Sequence, residues 1–64
     1  MPYIQMDIAS ATKEQKKQLI ESFTHSASEI LGFDESLFYV NIKENNPDNW
    51  GIGGVVLSEW KEKQ

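Results

Sequence analysis

The chain contains no cysteine and no arginine, and a single histidine. Without cysteine there is neither a disulfide nor a thiolate metal site, and one histidine cannot build a zinc site without several carboxylate partners. Without arginine no side chain offers a planar fork that grips a carboxylate or phosphate at two points. Positive charge is scarce: six lysines stand against ten acidic residues, for a net charge of -4. Neutralising a phosphate backbone takes clustered cations, so nucleic acid is not an expected partner. Long apolar runs are also missing, since no stretch approaches the roughly 20 residues a bilayer crossing demands. No charged segment followed by an apolar one opens the chain. These absences predict a soluble, cytoplasmic protein with no membrane partner.

Sixty-four residues make one domain, residues 1–64, and a chain of this size buries only about 60% of the surface its unfolded form exposes. With disulfides and metal set aside, association of copies is the remaining supplement to the core. The 39% hydrophobic content is ordinary for a globular domain.

From Pro2 to Ile8 the chain alternates, with Ile4, Met6 and Ile8 on one face and Tyr3, Gln5 and Asp7 on the other. That period belongs to a half-buried strand, and proline is tolerated at its first position. Thr12-Lys13-Glu14-Gln15 fits a capping box with Thr12 as N-cap. Beyond it Leu19, Ile20, Phe23, Ala27, Ile30 and Leu31 recur at helical spacing, and Gly32 supplies a stop. Phe38, Val40 and Ile42 alternate with Tyr39, Asn41 and Lys43 in a second strand. Asn45 to Asn49 is a loop by composition, Val55 to Trp60 a short strand or hairpin arm, and Lys61 to Gln64 a polar tail. The whole reads as an α+β, β-α-β unit, whose crossover makes the strands parallel and right-handed. A two-stranded sheet is marginal alone, so the sheet is expected to continue across subunits.

Chemistry is concentrated at one position. Removal of Met1 would leave Pro2 with a free secondary amine, a base, whereas a proline nitrogen inside a peptide bond is neither basic nor a donor. Outside any wider context, Pro2 is simply a strand-leading proline that blocks unwanted pairing. Gly51-Ile52-Gly53-Gly54 lacks the lysine and following helix of a phosphate loop and reads as a tight turn at a subunit contact. Glu14, Glu21 and Glu29 read as solvated helix-face charges, so paired-carboxylate hydrolysis has no support. His25 sits beside the apolar stripe and is assigned no role.

Pro2 opening strand one, Gln5, Glu14-Gln15-Lys16 with Leu19-Ile20, Val40 and Ile42, and Trp50-Gly51-Ile52-Gly53-Gly54 together resemble the 4-oxalocrotonate tautomerase family over nearly the whole chain. The resemblance implies a homohexamer built as a trimer of dimers, active sites at subunit boundaries, and no metal or cofactor. It implies that Pro2 is the catalytic base and then acid, interconverting the enol and keto forms of a small unsaturated acid. Ile8, Trp50 and a close Lys13 would each lower the basicity of that amine. The family prototype grips its dicarboxylate with two arginines, one before the helix and one in strand two. Here the loop Ala9-Ser10-Ala11-Thr12-Lys13 is one residue shorter, and Tyr39 holds the strand-two position. Lys13 can supply a charge, Tyr39 a hydroxyl and Trp50 an aromatic wall, a set that implies a smaller or more apolar keto acid, an aromatic one included. The competing reading is a non-catalytic interaction or accessory subunit that has kept the fold and lost the arginines.

Overall fold

The structure, a computed structural model, describes residues 1–60. Strand β1 (Tyr3–Ile8) leads through a short loop into helix α1 (Lys13–Leu31). A 3-10 turn (Glu35–Leu37) then precedes strand β2 (Tyr39–Glu44). The two strands pair in parallel from Tyr3↔Tyr39 to Ile8↔Glu44. Their hydrogen bonding continues beyond both ends: Tyr39 N–H donates to the Pro2 carbonyl at 3.0 Å, and Asn45 N–H to the Ile8 carbonyl at 2.8 Å. Ile4, Met6, Ile8, Val40 and Ile42 are half-buried on the face that meets α1, and Tyr3, Gln5, Asp7, Tyr39, Asn41 and Lys43 lie exposed on the other.

The helix begins where the capping box predicts. Thr12 Oγ1 accepts from Gln15 N–H at 3.1 Å, and Gln15 Oε1 accepts from Thr12 N–H at 2.9 Å. These two bonds satisfy donors that the helix itself leaves orphaned. At the other end Gly32 takes the left-handed conformation (φ 74°), which lets its N–H reach the Ser28 carbonyl at 2.9 Å. His25 ties α1 to the 3-10 turn: Nδ1 lies 3.1 Å from Glu35 Oε2 and Nε2 3.4 Å from Glu29 Oε1. A neutral imidazole donates from one nitrogen only, so two carboxylates favour the imidazolium. The Glu35 hydrogen bond, followed by the Glu29 charge, therefore raises the His25 pKa.

Past β2 the chain forms an arm. A second 3-10 turn (Pro47–Asn49) leads into an antiparallel hairpin of β3 (Gly51–Ile52) and β4 (Val55–Val56). Gly53 and Gly54 join its strands at φ 59° and 87°. Two consecutive positive φ values are the type I′ geometry that matches the twist of a tight hairpin. The tight turn is therefore present. Of the expected Val55–Trp60 strand or hairpin arm, only Val55–Val56 is extended, and Leu57–Trp60 form a helical turn, α2. The reversal has local causes, since Leu57 N–H donates to the Trp50 carbonyl at 2.8 Å and Ser58 Oγ to Asp48 Oδ1 at 2.5 Å. The tail expected at Lys61–Gln64 lies outside the described residues.

None of the described residues is buried. The radius of gyration is 15.2 Å, against about 10–11 Å for a compact chain of this length. The arm packs on itself and touches the β-α-β body sparsely. Tyr3 and Tyr39 remain more than half exposed and Ile30 is 82% exposed.

Thr12→Ala removes the side-chain half of the cap and is expected to destabilise the fold by about 1 kcal/mol, read as a lower urea midpoint. His25 carries a pH signature. Because its folded-state pKa is raised, its stabilisation is complete below the unfolded value of 6.5 and is lost as pH rises through the folded value. The melting temperature should fall as pH rises above 6.5, with that component absent in His25→Gln.

Candidate active site

Pro2 is half-buried at the head of β1, held against β2 by the Tyr39 N–H on its carbonyl. Its nitrogen is joined to Met1, which is 87% exposed, so removing Met1 would cost little packing. Tyr39 stands opposite Tyr3 in the register, so an exposed aromatic pair flanks this end of the sheet. The Tyr3 hydroxyl donates to Gln5 Oε1 at 3.3 Å.

Ile8 closes the same strand at its far end. It is six residues from Pro2, and at the rise of a strand that separates them by about 20 Å. Beside Ile8, an open groove of 510 Å³ has Ala11 and Leu19 in its apolar wall and Ser10, Gln15 and Ser22 among its polar groups. Lys13 does not line that groove. It borders a neighbouring 260 Å³ depression with Lys16, Lys17 and Ile20. Trp50 belongs to the arm, half-buried, its N–H donating to the Pro47 carbonyl at 3.3 Å. One protomer therefore brings Pro2 and Tyr39 together, holds Ile8 and Lys13 at the opposite end, and carries Trp50 on a separate segment.

The sequence patterns did not single out Glu44. Its Oε2 accepts from Ala11 N–H at 3.1 Å and its Oε1 pairs with Lys16 Nζ at 3.1 Å. Those contacts, the Ala11 amide first, hold its carboxyl below the usual range. One signal was available: extending the parallel register by one residue beyond Lys43 sets Glu44 beside Ile8, level with the loop.

The sequence model of the family described as "Tautomerase enzyme" matches residues 2–59. A probable tautomerase K2 of Dickeya dadantii is 38% identical, the alignment covering 98% of this chain and 97% of that protein. A 2-hydroxymuconate tautomerase of Bacillus subtilis is 33% identical over 92% of this chain and 97% of its own length. Among solved structures, TomN, a 4-oxalocrotonate tautomerase homologue of the tomaymycin biosynthetic pathway, superposes with a TM-score of 0.90 at 26% identity, covering 95% of each chain. A heterohexameric 4-oxalocrotonate tautomerase from Chloroflexus aurantiacus has a TM-score of 0.87 at 22% identity, covering 92% of this chain and 97% of its own; that likeness is one of fold. With a family match spanning the strand-leading proline, the capped helix, the parallel sheet and most of the arm, the chain belongs to the tautomerase family.

Proposed function

We propose that the protein is a cofactor-independent keto-enol tautomerase whose base and acid is the amine of Pro2, freed by loss of Met1. The carrying observation is the attachment of Pro2: its carbonyl is bonded to β2 while its nitrogen bears only an exposed residue. Losing Met1 would thus bare a secondary amine without disturbing the sheet. The amine takes the proton from the enol hydroxyl, electron density moves through the conjugated system, and the same proton returns to carbon. Such a base works when largely neutral near pH 7, whereas an ordinary α-amino group titrates at ~7.7–8.0. An apolar wall and a neighbouring ammonium both disfavour the protonated amine, the roles assigned to Ile8, Trp50 and Lys13.

Those three residues reach Pro2 from other copies of the chain in a homohexamer, a trimer of dimers. Support comes from the lack of any buried described residue, the exposed sheet face with Tyr3 and Tyr39, and the sparsely packed arm. The substrate is a small 2-keto or 2-hydroxy unsaturated acid with one carboxylate and an apolar or aromatic body. Lysine replaces arginine, so two-point recognition is absent, while Trp50 and Tyr39 supply aromatic surface. The same reading makes it a cytoplasmic enzyme.

Two results test this. The melting temperature should rise with protein concentration and light scattering should give six chains; a concentration-independent monomer contradicts the assembly. Natively produced protein should have the mass of the chain without Met1 and should ketonise the enol of phenylpyruvate more efficiently than 2-hydroxymuconate. Retained Met1, or a free Pro2 without turnover, would instead favour an interaction subunit.

A further inference from the structure

The two flanks of α1 differ. One carries Lys13, Lys16, Lys17 and Glu21 around Ile20 and turns toward β2, where Glu44 pairs with Lys16. The other turns toward β1: its 510 Å³ groove is bordered by Ile8, Ala11 and Leu19 among uncharged residues only, and by none of β2. Among the described residues β1 pairs with β2 alone, so its edge under this flank is open. Ile30 lies eleven residues beyond Leu19, or three helical turns. That spacing returns it to within about 20° of Leu19's direction, about 16 Å along the axis. The Ile30 side chain is 82% exposed. Ser22 and Ser26 fall between them on the same row, both exposed, and Glu29 at the outer margin is held by His25. One uncharged row of the helix thus carries an apolar knob at one end and a groove at the other.

We propose that this flank is a contact between two copies of the chain, their helices antiparallel about a two-fold axis near Ser22 and Ser26, with Ile30 of each seated in the groove of the other. A two-fold interface presents the same patch from both sides, so knob and groove have to occur on one face, as they do here. Two chains of net charge -4 repel, and an uncharged row is where they approach at least cost. The inference rests on the assembly proposed above and names a surface that builds it. It also serves the site. α1 runs back along the sheet toward the end where Tyr39 N–H bonds the Pro2 carbonyl. An antiparallel pair of helices therefore sets the Pro2 end of one copy against the Ile8 end of the other.

The chain has no native cysteine, so a single introduced thiol reads the contact without catalysis. Ser26→Cys, close to the proposed axis, should be joined to a second copy in high yield by a short bismaleimide. Lys17→Cys, on the opposite side of the helix, should be joined poorly; equal yields at the two positions overturn the proposal. Ile30→Ala removes a side chain that is already exposed within one copy, so the helical circular dichroism should hold. Association, followed on dilution by light scattering, should weaken on the order of 100-fold, from two knobs per interface at about tenfold each. Unchanged association also overturns the proposal. A wild-type dimer that cross-links at position 26 sinks the six-chain assembly and keeps this contact. A hexamer that cross-links no better at 26 than at 17 keeps the assembly and sinks the contact.

Discussion

A single crossover helix covers one face of a two-stranded parallel sheet and leaves the other bare. The pairing of β1 with β2 depends on that arrangement, and so does much else in the molecule. The helix-facing residues reach only half-burial. The opposite face displays a tyrosine pair, an amide pair and Asp7 beside Lys43, all in register. Two strands with one covered face are a poor free-standing fold, and the arm adds little because it packs mainly on itself. The chain leaves much of its apolar surface open, with its tertiary structure set by local devices: a capping box, a left-handed glycine and a type I′ turn.

The same geometry divides the chemistry. Parallel pairing sends the amino terminus of β1 to one end of the sheet and the loop into α1 to the other, so Pro2 and Lys13 are kept apart within one chain. In the proposed assembly a neighbouring copy brings the second end to the first.

Much of this was legible in the residues. Alternation in Pro2–Ile8 and Phe38–Lys43 places both strands to within a residue, because a half-buried strand leaves a period of two. Thr12 and Gln15 mark the helix start and Gly32 its end, since these groups act within a few residues of themselves. The helical turn at Leu57–Trp60 was not legible. It is set by Ser58 on Asp48 and Leu57 on Trp50, contacts between segments whose composition suits a strand equally well. Nor was the Glu44 bridge to Ala11, which joins positions 33 residues apart and leaves no periodic trace. The separation of Pro2 from Ile8 was implicit in strand length, yet a motif comparison places residues in a common site without saying which copy supplies them.

The central claim is that the site is completed by a second copy, and subunit mixing tests it most directly. Pro2→Leu removes the amine and Trp50→Ala removes the wall. Each variant alone should be nearly inactive. If Pro2 and Trp50 of one site come from different chains, dissociating and reassembling the two together restores sites with both native residues, and activity returns to a substantial fraction of the wild type. If both come from the same chain, every site in the mixture keeps a defect; activity that stays at the level of the separate variants, with hybrid assembly verified by mass, would contradict the account.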